Sequence, residues 1–301
     1  MADGGIGRLD WREMQPFGIE VDFDFRNEMT EAEQAGLREA FYRHSLVFAR
    51  GQRLSWPEQK RVCEIIGPVL GDGVDYTLIS TDGNFGPVAY SFHSDLSFSE
   101  DPFKLVSLHA VDVVDGESFT RFASGVVGYR ALSPELRAQA DDHRILTAAI
   151  FSDRMIDPAL PIPPRFPRAV RGAVMKHPVT GMPILYVIEQ AAVRVEGLPV
   201  DESEALLAAF AKVLFAPERI LTHVWRNGDF LFWDNLALQH ARPDLTRIKR
   251  RVLQRVTVSE KSFFDLCPGL TPDDLAATAQ PDYRDPAVGR WAPEAALPSF
   301  L

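Results

Sequence analysis

The chain has little cysteine, no long apolar run and no surplus of positive charge. Only two cysteines, Cys63 and Cys267, occur in 301 residues, far apart and in unrelated contexts. This excludes a disulfide framework or a cysteine-based metal cluster and reads as two ordinary thiols in a reducing cytoplasm. No apolar stretch approaches the length of a membrane span, and Met1 to Glu20 has no basic segment followed by an apolar one. Neither a membrane span nor a secretory leader is therefore expected. Lysine plus arginine total 32 against 42 acidic residues, a formal charge of -10, which argues against non-specific nucleic-acid binding. No repeat or low-complexity linker divides the chain. With 46% hydrophobic residues there is material for a sizeable core, and residues 1–301 are read as a single domain.

What is present is strand-rich. Phe17, Ile19, Val21 and Phe23 alternate with polar partners, as in a half-buried strand. Thr30 precedes Glu33 by three residues, a capping-box spacing, and Leu37, Ala40, Phe41 and His44 give the helix that follows one apolar side. Ser45 to Ala49 reads as a buried strand. Ser55, Pro57 and Glu58 open a second helix, which Gly67-Pro68 ends. A turn is expected over 71–75, a strand over 76–80 and a loop over 81–87. Further strands are expected around 104–114, 118–122, 184–188, 220–226, 229–232 and 251–258, with a short helix opening at Ser133-Pro134-Glu135. Asp201 and Glu204 are read as cap and third-position partner of a helix over 201–213. The five prolines between 157 and 167 mark an extended insert or lid, and residues 265–301 a surface tail in which Trp291 and Phe300 are candidate anchors. Many short strands with helices outside them predict a mainly β domain with flanking helices.

The chemistry begins at Ser91-Phe92-His93-Ser94-Asp95. In a strand, His93 and Asp95 point the same way while Ser94 faces the other. Two such ligands form half a metal site. The other histidines are His44, His109, His143, His177, His223 and His240, and His240 has the most unusual surroundings, following Phe232-Trp233-Asp234-Asn235. Two histidines and one carboxylate on one face of an iron leave positions open for a co-substrate and oxygen. Arg251 and Arg255, four apart in a strand, share a face with Leu253 between them. An inward arginine pair is costly unless an anion compensates it, and a dicarboxylate co-substrate would do so through a bidentate contact. The remaining histidines are read as core or turn residues. Trp233, Asp234 and Asn235 are expected to shape the turn before His240.

Taken together, these motifs resemble the taurine dioxygenase / 2,4-dichlorophenoxyacetate dioxygenase family of iron(II)- and 2-oxoglutarate-dependent oxygenases. The likeness rests on His93-x-Asp95, Trp233-Asp234-Asn235 before His240, and arginines eleven and fifteen residues after that histidine. It also takes in His177-Pro178-x-Thr180-Gly181 and Thr120-x-Phe122-Ala123-Ser124, and covers roughly residues 15 to 260. The resemblance implies His93, Asp95 and His240 as iron(II) ligands. It implies Arg251 with Thr120 at the distal carboxylate of 2-oxoglutarate, and Arg255 near both the co-substrate and an anionic group of the primary substrate. The implied reaction converts 2-oxoglutarate and oxygen to succinate and carbon dioxide while hydroxylating, or otherwise oxidising at a C–H bond, a small organic substrate. The implied fold is a double-stranded β-helix, a cupin-like jelly roll, and the implied assembly a homo-oligomer. Where members commonly carry Gly-Gly-Asp-Thr, this chain has Glu117-Ser118-Phe119-Thr120, so the backbone before Thr120 is expected to differ. Asp95, a carboxylate and not a small residue, points to an oxygenase and away from a halogenase that leaves this position to chloride.

Two rivals stand beside this reading. One is a non-catalytic jelly-roll binding protein, against which the full set of three ligand candidates speaks. The other is a zinc or manganese hydrolase or isomerase at the same triad, which would have no use for Arg251 and Thr120. Aromatic residues Tyr76, Tyr90, Phe92 and Phe98 around the first ligands permit an apolar substrate body with an anionic end.

Overall fold

The computed structural model describes residues 3–69, 77–81, 86–149, 157–164, 166–277 and 283–293. The turn expected over 71–75, the aromatic Tyr76 and the candidate anchor Phe300 lie outside the described residues.

Alternation along Phe230–Asp234 explains the layering. Phe230 and Phe232 pack with Leu37, Phe41 and Val62, on the side of the helices Glu31–His44 and Trp56–Glu64. Leu231 and Trp233 pack on the other side with Phe48, Leu108 and Leu253 and with Phe122, Leu221 and Leu238. Both faces of this strand are thus dry, as its uninterrupted apolar run requires. It lies inside an eight-stranded sheet ordered Asp3–Ile6, Leu9–Glu13, Ile19–Asp22, Leu46–Ala49, Phe230–Asp234, Leu105–Val113, Arg251–Val258, Thr77–Ser80. Facing it is a four-stranded sheet ordered Ile220–Val224, Phe119–Ser124, Leu238–Arg242, Tyr90–His93. The far side of this smaller sheet, with Phe92, Ala123 and Ala241, is covered by Phe210, Ala211 and Leu214 of the helix Val200–Leu214.

The expected jelly roll, a double-stranded β-helix closed like a cupin barrel, is not what forms. Among the described residues no sheet closes on itself, and the architecture is mixed α/β with several open sheets. Two physical features keep it so. The strand Ile19–Asp22 pairs in parallel with Leu46–Ala49 across the helix Glu31–His44, a βαβ connection that spends one sheet face on a helix. The edge strand Asp3–Ile6 is capped by that same helix: Ile6 lies where a Cβ at Gly36 would come within 2.2 Å of its Cγ2. Two small sheets, of three and two strands, complete the chain between 144 and 195.

Most local expectations survive. Thr30 accepts from the Glu33 N–H at 3.3 Å and donates its own N–H to Glu33 at 2.8 Å, the expected capping box. Segment 157–164 contains no helix; Ile162 is buried with Leu146, Ala148 and Val193. One cap is corrected. The helix expected from 201 begins at Val200 behind Pro199, which offers no side-chain cap, so Asp201 lies within the first turn. Glu204 instead accepts from Arg290 at 2.7 Å and Trp291 at 3.2 Å, which ties the C-terminal segment to the domain.

Candidate metal centre

The strand Tyr90–His93 pairs antiparallel with Leu238–Arg242, and the register sets His93 opposite His240. Cross-strand partners are near neighbours, and here the ring centroids are 4.1 Å apart. Asp95 does not extend this strand, which corrects the alternation argument for the pair. The strand ends at His93, and Asp95 begins a turn in which Leu96 has φ 60. The turn still brings the carboxylate back: Asp95 Oδ1 lies 3.6 Å from His93 Nε2 and 3.7 Å from His240 Nε2. One ligand atom from each residue falls within 4.8 Å of the others, and among the described residues this is the one such group of three.

The donors are oriented toward one point. His93 Nδ1 lies 2.8 Å from the Ser91 carbonyl and donates to it, which turns Nε2 toward Asp95. Burial, reinforced by the neighbouring His93, pushes His240 well below the usual imidazole range and leaves it neutral. Its ring packs 4.8 Å from Trp233 and 6.4 Å from Phe122. Burial alone would raise Asp95, but the charge of Arg255 beside it prevails and holds the carboxyl at about 2. Arg255 hydrogen-bonds the other oxygen, Oδ2, which leaves Oδ1 to the two imidazoles.

Arg251 is the reverse case. It is buried, its Nε has no hydrogen-bond partner, and burial together with the like charge of Arg242 lowers its guanidinium to about 9. Its Cζ sits 5.8 Å from the Trp225 ring, and Trp225 Nε1 donates to Thr120 Oγ1 at 3.0 Å. Because that oxygen already accepts, the Thr120 hydroxyl proton is left to donate elsewhere. A buried cation with an unsatisfied donor and a hydroxyl with a spare proton suit an acceptor-only group of negative charge, as a carboxylate is. The residues present therefore fit both a divalent cation and a keto acid with a distal carboxylate. The departure at Glu117-Ser118-Phe119 is absorbed locally. Phe119 is buried and faces the opposite side of its strand from Thr120, while the Ser118 hydroxyl is buried without a partner.

The other histidines lie apart from this group. His177 pairs with Asp234 at 2.7 Å and His223 with Asp229 at 3.0 Å, both buried, and His109 meets the Gln52 carbonyl at 3.3 Å. Sequence reasoning missed Trp225 and Arg242. Arg242 stands two residues beyond His240 on the same strand, so the alternation applied to His93 would have found it. It donates to the carbonyls of Val88 at 3.1 Å and Gly86 at 2.6 Å. No sequence pattern pointed to Trp225, whose neighbours come from distant strands.

Two imidazoles and one carboxylate, facing one another beside a buried cation, define a non-haem metal site of the kind used by oxygenases. The family description "Taurine catabolism dioxygenase TauD, TfdA family" matches residues 10–257, and the chain belongs to that family. It is 27% identical over 262 residues to the alpha-ketoglutarate-dependent sulfate ester dioxygenase of Pseudomonas putida, across 80% of this chain and 84% of that protein. It is also 27% identical over 273 residues to the alpha-ketoglutarate-dependent 2,4-dichlorophenoxyacetate dioxygenase of Cupriavidus pinatubonensis, across 80% of this chain and 93% of that one. Among solved structures, a taurine dioxygenase from Burkholderia xenovorans superposes with a TM-score of 0.72 at 23% identity, covering 91% of this chain and 99% of that chain. The protein is an iron(II)- and 2-oxoglutarate-dependent oxygenase that acts on a small organic substrate bound near the metal site. Among the described residues no helix is long and apolar enough to cross a membrane.

Proposed function

We propose that His93, Asp95 and His240 are the iron(II) ligands, that Arg251 and Thr120 hold the distal carboxylate of 2-oxoglutarate, and that the primary substrate is a small organic anion. The observation that carries this reading is the buried Arg251 guanidinium with no acid of its own, beside a hydroxyl whose proton is free. Iron(II), 2-oxoglutarate and oxygen would supply the oxidising equivalent for C–H oxidation, with succinate and carbon dioxide as by-products.

The chain's own part is to prepare charge and position. Asp95 stays ionised through Arg255 and offers one oxygen; the imidazoles offer their Nε2 atoms, that of His240 kept neutral by burial. Trp233 and Phe122 pack against the His240 ring and limit its rotation. Arg251 gives the co-substrate a charge-assisted anchor on a rigid strand, which fixes its keto-acid end relative to the ligands. Arg255, on the same strand, is the residue proposed to meet the co-substrate and the substrate's anionic group with the donors it does not spend on Asp95. Sulfate esters and 2,4-dichlorophenoxyacetate, the substrates in the names of two relatives, both pair an anion with an organic body. The reading extends to a cytoplasmic homo-oligomer: two buried free thiols suit a reducing compartment, and the family resemblance supplies the assembly, which light scattering tests.

The test is a panel of alkyl sulfates, sulfonates and aryloxyalkanoates scored by succinate release, then by product mass. A gain of one oxygen is expected for hydroxylation. Neutral compounds outperforming every anion would overturn the substrate class.

A further inference from the structure

The link between the two halves of the ligand set is made by a residue that is not itself a ligand. Asn235 lies in the turn after Phe230–Asp234, five residues before His240, and is fully buried. Its Oδ1 accepts from the Asp95 backbone N–H at 2.9 Å. Its Nδ2 donates to the Asp95 carbonyl at 2.9 Å and to the Phe103 carbonyl at 2.9 Å. One side-chain amide therefore grips both backbone groups of a single ligand residue. Its own N–H donates to the Lys104 carbonyl at 3.1 Å, which ties the same turn to the start of Leu105–Val113.

Asp95 needs such a hold because it no longer belongs to a strand. The next residue, Leu96, has φ 60, in the left-handed region that a branched side chain disfavours, so the turn depends on outside contacts to keep its shape. The grip is itself anchored. Asp234 Oδ1 accepts from the N–H groups of Leu236 and Ala237 at 3.0 and 3.2 Å, and Oδ2 lies 2.7 Å from His177 Nε2. His177 Nδ1 accepts from the N–H groups of Val179 and Thr180 at 3.2 and 3.1 Å, and its Nε2 faces Asp234 Oδ2, an oxygen with no hydrogen-bond partner. A run of buried polar contacts thus leads from the 177–181 turn through Asp234 and Asn235 to Asp95.

We propose that Asn235 is a positioning residue that sets where the Asp95 carboxylate stands relative to the imidazoles of His93 and His240. In doing so it sets the metal affinity of the site without touching metal, co-substrate or substrate. The proposal rests on the reading of these three residues as the ligands. Metal sites tolerate only small errors in ligand position, and loss of an outer hydrogen bond that orients a ligand weakens binding by roughly 10- to 100-fold.

The experiment is anaerobic titration of the full chain with Co(II) and with Fe(II), well below each variant's melting temperature, with the visible Co(II) bands as a report of geometry. Asn235→Ala is expected to bind both ions about 10- to 100-fold more weakly than the wild type and to show altered Co(II) bands. Asn235→Ser, which retains one small polar group, serves the same purpose should the alanine variant not fold. The comparator is Gln52→Ala, a buried amide that bonds the Phe25 N–H and the Phe23 carbonyl away from the ligands. It is expected to lower the melting temperature and leave affinity and bands unchanged. Wild-type affinity and bands in a folded Asn235 variant, or an equal loss in Gln52→Ala, would overturn the inference while leaving the ligand assignment intact. A wild-type chain that binds neither ion would overturn the ligand assignment and the inference with it.

Discussion

At the helix-covered end of the large sheet, Glu33 is buried and yet fully satisfied: it accepts from the Arg8 N–H, Nε and Nη2 at 2.9 Å each and from the Thr30 N–H at 2.8 Å. Asp229 is similar, with Arg50, His223 and the Arg226 N–H around it. Between the two sheets Arg251 is as buried and Asp95 and His240 less so, yet all three are incompletely served. Arg251 Nε and His240 Nδ1 have no partner, and Asp95 Oδ1 faces the Nε2 atoms of two imidazoles. The difference separates groups that stabilise the fold from groups arranged to receive something. A buried polar atom left unpaired costs stability, and two such atoms, on Arg251 and His240, lie between the sheets.

The largest expected effect follows from that contrast. Arg251→Ala should raise the KM for 2-oxoglutarate on the order of 100-fold, as expected when one partner of a buried charge pair is lost, while kcat changes less. Arg251→Met sharpens the comparison: without co-substrate it should melt no lower than the wild type, because it removes a buried charge that no acid balances. Arg8→Ala should melt lower, because it strips Glu33 of two charged side-chain donors. Equal destabilisation by the two substitutions would break the distinction between the two ends. His177→Ala comes next. It removes the imidazole that faces the buried Asp234 carboxylate and accepts from the Val179 and Thr180 N–H groups, read as a lower melting temperature, and a several-fold weaker Co(II) affinity should accompany it through Asn235.

The smallest effect concerns pH. Burial holds His109 and His223 below the usual imidazole range, against the opposing pull of the Gln52 carbonyl on the former and Asp229 on the latter. The unfolded chain then binds more protons than the folded one, so stability is full above the unfolded imidazole value of about 6.5 and falls as pH drops through it. Glu33 is lowered too, by its hydrogen bonds to Arg8; its contribution is present above the unfolded carboxylate value of about 4.3 and is lost at lower pH. Melting temperature against pH should therefore decline in two stages. His109→Leu should flatten only the first.

How much of this was legible in the sequence depends on the range of the interaction. The convergence of His93, Asp95 and His240 was readable because the three carry metal-binding chemistry in their residue types, and the capping box at Thr30 and Glu33 because it is local. The route by which Asp95 reaches the histidines was not, since alternation says nothing of a strand that stops at His93 and a left-handed Leu96. Closure into a jelly roll could not be read from strand count either. Whether a sheet closes depends on which edges meet, and here a helix covers the Asp3–Ile6 edge. Trp225 escaped notice because its role comes from Thr120 and Arg251 meeting on it from two different strands.

The ligand proposal puts three side chains on one iron that also takes a keto acid. Its most direct test is the visible spectrum of the protein mixed anaerobically with iron(II) and 2-oxoglutarate. The wild type should show the weak charge-transfer band of a chelated keto acid, and His93→Ala should not. A properly loaded wild-type sample without the band, or a His93→Ala variant that retains it, would contradict the claim.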